Sequence, residues 1–466
     1  MSLPGQSSHF TWRRGPELPF LHYLALPAER TIARSPAPSP LGEIGLYFLP
    51  LMISIAHLVP AHFTQQIARA FDEVGLLDTF FCTLLDEPDK SWQRLAKAGS
   101  RLVHFDLDAN LKRRALTEVK RSKVESYPFR ECLRMLATKV WKDPVMDDRI
   151  FHWARDGFDR WVASRLNGTA VLYGYEYGSL RMFEAAKRKG IRTVFDLPSP
   201  EHQFVEDLLA PEFDRFPELQ TPYRQLTVDR HEERTERRHQ EWELSDLVVA
   251  NSNFTANSWK AAGWSEKPVV VLPLGAPPVT HPCTEAPANE VLRFLWAGTF
   301  SVRKGAHHLI DAIRSMPATE AKAFTLEVYG AVTLPDALLK NLPPQIRFMG
   351  SVPRSELFQK MREGDLLVFP TLCDGFGLVV NEAFAQGMPV LTTPRAGAAD
   401  LIREGENGWL IPPADAAALA AGLSKVIEER KRLPEMRRSA QATALDWQWA
   451  DYRREIAKAV SSLLAK

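Results

Sequence analysis

The sequence predicts an α/β protein made of two Rossmann-like, doubly wound halves that face a central cleft. Three observations carry this. Short apolar runs of strand length alternate with longer helical stretches, the rhythm of a parallel sheet covered on both faces. The rhythm stops at a proline-rich break, Ala276 to Asn289, which holds Pro277, Pro278, Pro282 and Pro287, and then restarts. A final helical stretch, from about Trp449 to Leu464, follows the second series and is expected to cross back onto the first half.

Ordered structure is expected to begin with a strand at Met52–His57. Upstream, Pro4, Pro16, Pro19, Pro27, Pro36, Pro38 and Pro40 interrupt every periodic pattern. Residues 1–51 are therefore expected to be a disordered extension, with Met52 a candidate native start. The first half, 52–275, continues with a helix from His62 to Val74 stopped by Gly75. A strand follows at Thr79–Leu84, and residues 106–168 read as largely helical. Strands come next at Ala170–Tyr173 and Arg192–Asp196, with a helix from Leu180 to Lys189 between them. Thr227 to Glu243 reads as one long, solvated helix. Asp246–Asn251 and Val269–Pro273 close this half. After the linker, 276–290, the second half runs from 291 to 446. Its strands are expected at Leu292–Ala297, Thr325–Tyr329, Ile346–Met349, Leu366–Phe369, Pro389–Thr392 and Trp409–Ile411. Residues 447–466 carry the crossing helix.

Composition narrows the function classes. The 466 residues are 45% hydrophobic and 25% charged, ordinary for a globular protein. A net charge of +1 gives no polyelectrolyte footprint, so no nucleic-acid partner is expected. Cys82, Cys132, Cys283 and Cys373 are far apart, which argues against a zinc ribbon or disulfide framework and fits a cytoplasmic protein. No stretch reaches the roughly 20 apolar residues of a membrane helix. Peripheral attachment to the inner face of a membrane stays open.

The chemistry is concentrated after the strand Leu366–Phe369. There Asp374-Gly375-Phe376-Gly377-Leu378 leads into a helix-like run from Asn381 to Gln386 that carries Glu382. Ligands of open α/β sheets sit at such carboxyl ends of strands. The glycines expose backbone N–H groups, and a helix amino terminus favours an anion. Carboxylates repel phosphate but accept hydrogen bonds from sugar hydroxyls. A second such junction follows Leu292–Ala297: Gly298-Thr299-Phe300-Ser301-Val302-Arg303-Lys304-Gly305, just before a helix at His307–Ile313. Cations at a helix amino terminus suit a diphosphate. An anion site beside hydroxyl-accepting acids describes a nucleotide-sugar. The G-x-G-x-x-G pattern of dinucleotide enzymes is incomplete here.

From about Asp246 to Leu423 the chain resembles the family 4 glycosyltransferases, retaining enzymes with the GT-B fold. The resemblance rests on Gly298…Lys304-Gly305, Val328-Tyr329-Gly330, Phe348-Met349-Gly350, Phe369-Pro370-Thr371, Asp374-Gly375-Phe376-Gly377-Leu378…Glu382-Ala383, Gly387-Met388-Pro389-Val390 and Asn407-Gly408-Trp409. It implies a glycosyltransferase, hexosyltransferase-like, that moves a sugar from a nucleoside-diphosphate sugar to an acceptor hydroxyl with retention, in glycan or polysaccharide biosynthesis. It implies no cofactor and no metal. The family's Glu-x7-Glu pair becomes Asp374 and Glu382, for donor-sugar hydroxyls and ribose respectively. Lys304 matches the family lysine, while Thr299 stands at the usual arginine, with Arg303 as a substitute. Gly298, Gly305, Gly375, Phe376, Gly377 and Leu378 complete the donor contacts. In the first half, a family histidine that contacts the transferred sugar corresponds to Asp196 or His202. Tyr175 and Glu176 are acceptor-side candidates. A non-catalytic sugar-nucleotide binder and an epimerase of the same fold are the rival readings.

Overall fold

The computed structural model describes residues 52–102, 107–141, 143–264, 267–283 and 290–464. The expected disorder of residues 1–51 falls outside them, as do linker residues 284–289. Among the described residues, thirteen strands form two all-parallel sheets. The first half contributes β1 (Met52–Ala56), β2 (Leu77–Cys82), β3 (Val124–Ser126), β4 (Thr169–Tyr175), β5 (Arg192–Leu197), β6 (Leu247–Ala250) and β7 (Val269–Val271). They lie in the order β3-β2-β1-β4-β5-β6-β7. The second contributes β8 (Leu292–Ala297), β9 (Phe324–Tyr329), β10 (Ile346–Gly350), β11 (Leu366–Phe369), β12 (Val390–Thr392) and β13 (Gly408–Leu410), ordered β10-β9-β8-β11-β12-β13. The order reverses at β1/β4 in one sheet and at β8/β11 in the other.

Burial explains why the strands were legible. Every residue of the Leu247–Ala250 and Leu366–Phe369 strands is buried, as expected for a parallel strand with helices on both faces. The edge strand Ile346–Gly350 buries only Ile346. Two expectations change. The stretch 106–168 contains the edge strand Val124–Ser126, which pairs with Phe80–Cys82. The long helix expected at Thr227–Glu243 is two helices, Pro222–Asp229 and His231–Glu243, parted at Arg230 (φ −103°, ψ 11°).

The last helix, Trp449–Ser461, crosses back as expected. The chain leaves the first half at Ala276 and returns at Gln448, and these two crossings pair in parallel. Ala276 N–H donates to the Trp447 carbonyl (3.0 Å), and Trp449 N–H donates to the Ala276 carbonyl (3.2 Å). The approach is so close that a Cβ on Gly275 would lie 2.5 Å from Trp449 N. Asp451 caps the helix by accepting from Gln448 N–H at 3.0 Å. Arg453 then reaches Glu73 (2.9 Å) and Gln66 (2.7 Å) on the helix His62–Glu73. One apolar cluster runs through Ile53, Phe71, Phe369, Phe384, Trp449 and Ile456, so the halves share part of their core. Among the described residues no helix is long and apolar enough to cross a membrane.

Candidate functional site

A cleft of about 390 Å³ lies where the carboxyl ends of both sheets meet. The second half supplies Ala297, Gly298, Lys304, Leu357, Asp374, Phe376, Gly377, Leu378, Val379 and Glu382. The first supplies Phe63, Ile67, Asp196, Pro198, Val249, Asn251, Leu272 and Leu274, and the crossing helix adds Tyr452.

The loop after β8 is shaped by backbone contacts. Gly298 sits at φ +110°, and a Cβ there would lie 2.9 Å from Lys304 Nζ. Gly305, in the left-handed region at φ +75°, caps the helix Ala306–Ser315. A Cβ on it would strike the Pro370 carbonyl at 2.1 Å, so no larger residue fits. Leu372 N–H donates to the Arg303 carbonyl at 2.9 Å, joining this loop to the one after β11. The loop aims Lys304 into the cleft. Its ammonium stands 3.9 Å from Asp374 Oδ2 and 5.3 Å over the Phe369 ring. Burial first, and then the charge of Arg303, lower its pKa, while Asp374 opposes them.

Two of the residues expected near the phosphates are not brought in. Thr299 and Arg303 are exposed and line no part of the cleft. Among the described residues, Lys304 is the single cation of the cleft lining.

The loop after β11 reaches the same cleft. Gly377 (φ +86°) caps the helix Leu378–Ala385, so that helix starts three residues earlier than expected. Leu378 and Val379 of its first turn line the cleft, where a helix leaves its first N–H groups without a partner in a preceding turn. Gly375 is pressed against the first half: a Cβ there would lie 2.0 Å from the Pro198 carbonyl. Its own carbonyl accepts from Ser252 Oγ (2.6 Å) and Thr255 Oγ1 (3.1 Å). Asn381 Nδ2 donates to the Leu274 carbonyl at 2.6 Å. The first half thus holds the loop from two sides.

Glu382 lines the far end and pairs with Arg354 at 2.8 Å. Burial raises its pKa, and Arg354 opposes that rise. Arg354 lies over Phe358 (5.0 Å) and also lowers the pKa of His62 across the cleft, after burial.

On the first half the strand-end position belongs to Asp196, not to His202. Asp196 lines the cleft and accepts from the Tyr173 hydroxyl. Burial pushes its pKa up to about 7. His202 sits outside the cleft lining, stacked on His231 with centroids 4.5 Å apart and bonded to Thr235 Oγ1 at 3.0 Å. Burial, Arg238 and His231 lower its pKa to about 3. Tyr175 and Glu176 border a separate cavity of about 40 Å³ with His57 and Ser179. Glu176 is bonded to Arg238 at 2.6 Å. Sequence reasoning missed Arg354, Asn251 and Tyr452. Only Asn251, directly after β6, carried a signal, its place at a strand end.

Comparison with known proteins gives this geometry a context. Residues 292–429 match the family described as Glycosyl transferases group 1. The putative colanic acid biosynthesis glycosyltransferase WcaL of Salmonella typhimurium is 28% identical over 194 residues, 39% of this chain and 47% of that protein. The glycogen synthase of Mycobacterium tuberculosis is 28% identical over 170 residues, 35% of this chain and 41% of that protein. Each alignment thus spans less than half of the curated relative. Among solved structures, sucrose-phosphate synthase from Thermosynechococcus elongatus superposes with a TM-score of 0.61 at 16% identity, covering 89% of this chain and 99% of that one. Anabaena Alr3699/HepE in complex with UDP-glucose gives 0.55 at 18% identity, covering 88% and 99%. At these identities the likeness shows the fold, two Rossmann-like domains in the GT-B arrangement.

Proposed function

We propose that this chain is a glycosyltransferase that moves a sugar from a nucleoside-diphosphate sugar to an acceptor hydroxyl, with retention of anomeric configuration, in glycan or polysaccharide biosynthesis. The observation that carries the reading is the convergence of Lys304, Asp374, Glu382 and the Phe376–Leu378 backbone on one cleft. The match of residues 292–429 to a glycosyltransferase family supports it. A donor of the UDP-sugar type is in keeping with the UDP-glucose bound by the similar Anabaena structure.

In this reading the ribose hydroxyls donate to Glu382, and the diphosphate lies against Lys304 and the N–H groups that open the helix Leu378–Ala385. Asp374 accepts from hydroxyls of the transferred sugar. A carboxylate cannot serve the phosphate, so the acids hold the two ends of the donor and the cation its middle. As the bond from the anomeric carbon to the phosphate oxygen breaks, negative charge grows on the leaving diphosphate. Lys304 and the helix dipole meet that charge without reorganising. The departing oxygen then takes the acceptor proton on the same face, which preserves configuration. These residues carry the step without a resident cofactor or divalent ion.

The lone lysine sets a further expectation. With Thr299 exposed where the family has arginine, the diphosphate loses one bidentate partner. Nucleotide release on a panel of nucleotide-sugars, with candidate acceptors, tests the reading. Donor-dependent and acceptor-dependent release supports it. Tight donor binding with neither transfer nor hydrolysis would make the protein a sugar-nucleotide binder instead.

A further inference from the structure

Outside the cleft, the two halves meet at a second cluster of chemically capable side chains. Glu212 comes from the helix His202–Arg215 of the first half. His307 and His308 come from the first turn of the helix Ala306–Ser315 of the second. All three are buried, at 5%, 2% and 2% exposure. His307 Nε2 lies 2.7 Å from Glu212 Oε2, and His308 Nε2 lies 3.0 Å from Oε1. One nitrogen or oxygen from each residue falls within 4.8 Å of the others. The edge of Phe216 closes over His307 at 5.0 Å.

We infer that Glu212, His307 and His308 form a binding site for one divalent ion of the zinc class, and that this ion ties the two halves together. Two imidazoles and a carboxylate are a donor set such ions take, with metal–nitrogen and metal–oxygen distances of about 2.0–2.2 Å. Tetrahedral angles then put neighbouring ligand atoms about 3.3 Å apart. The two nitrogen–oxygen pairs, at 2.7 and 3.0 Å, lie within about 0.6 Å of that spacing, and the three ligand atoms lie within 4.8 Å of one another.

Arg395 and Asp311, one of each sign, are charged groups near the cluster. Both Nδ1 atoms are buried without a protein partner, and the Nε2 atoms, which face Glu212, are the ones that would bind the ion. None of the three residues lines the donor cleft, so the site is separate from the proposed transfer chemistry.

The full chain, stripped with a chelator and dialysed, is titrated with Zn²⁺ by calorimetry and with Co²⁺ by visible absorbance. The expected result is one tight equivalent, cobalt d–d bands and a rise in Tm on metal addition. Glu212→Gln and His308→Ala should weaken binding at least thirtyfold. His202→Ala should leave it unchanged; that histidine lies in the other His/Glu grouping, with Glu206 and His231. Absence of a stoichiometric equivalent in the unaltered chain overturns the inference, whatever the variants do. So does unchanged binding in Glu212→Gln, or its loss in His202→Ala, and the triad is then a plain hydrogen-bonded contact. None of these readings depends on glycosyl transfer.

Discussion

Ser252 of the first half donates its hydroxyl hydrogen to the carbonyl of Gly375 in the second, at 2.6 Å, and Thr255 donates to the same oxygen at 3.1 Å. The Asp374–Leu378 loop is therefore shaped partly by the opposite half. Its glycine is there because the Pro198 carbonyl leaves no room for a side chain.

Gly375→Ala should separate the loop from the first half, since the new Cβ would stand 2.0 Å from a backbone oxygen that cannot rotate away. We expect donor turnover to fall at least tenfold. Gly178→Ala is the control, because its Cβ would meet only the Tyr175 carbonyl at an ordinary 3.8 Å. Steady-state nucleotide release should stay within about twofold for the control, the usual range for a substitution that meets no steric conflict.

Arg354→Ala should act through Glu382. Without the guanidinium, burial is unopposed and the carboxyl pKa climbs further above its usual value. In the proposed function the ribose hydroxyls donate to Glu382, and an ionised carboxylate accepts from them better than a protonated one. The donor KM of the variant should therefore worsen as the pH falls and recover toward the wild-type value as it rises. KM measured at pH 6 and pH 8 decides this; an equal change at both would place Arg354 on the donor itself.

Asp196 predicts a pH-dependent stability. Its carboxyl pKa is about 7 in the fold and 3.8 in the unfolded chain. Between those values the folded chain keeps a proton that the unfolded chain releases. Stability is thus lost as pH rises from about 4 to about 7, and the loss is complete above that. A shift of about three units corresponds to about 4 kcal/mol as an upper bound. Asp196→Asn removes this penalty while still offering the Tyr173 hydroxyl an acceptor. Urea unfolding should show the variant gaining on the wild type between pH 5 and pH 8. A gap that stays constant with pH would mean Asp196 is ionised in the fold.

Much of the fold was legible because buried parallel strands are written as uninterrupted apolar runs. The Val124–Ser126 strand was not, since three residues with a glutamate in the middle make no run. The break at Arg230 was hidden because charged residues on both sides read as one solvated face. The glycine loop and Glu382 were legible because they are consecutive along one strand-loop-helix unit. Arg354 was not, because it reaches Glu382 only through the packing of the helix Arg354–Glu363 beside the cleft. The displacement of His202 has the same origin: the strand Arg192–Leu197 ends at the cleft, and the chain has turned away by the time it reaches the histidine. Likewise the Glu212–His307–His308 cluster joins residues 95 and 96 positions apart, a spacing that carries no motif.

In the proposed function Lys304 and Glu382 grip two ends of one nucleotide-sugar. The direct measurement is nucleotide release, with a matched donor and acceptor, by the wild type, Lys304→Ala and Glu382→Ala. Each substitution should lower kcat/KM at least tenfold, about 1.4 kcal/mol of lost transition-state stabilisation. Near-wild-type rates in both variants would contradict it.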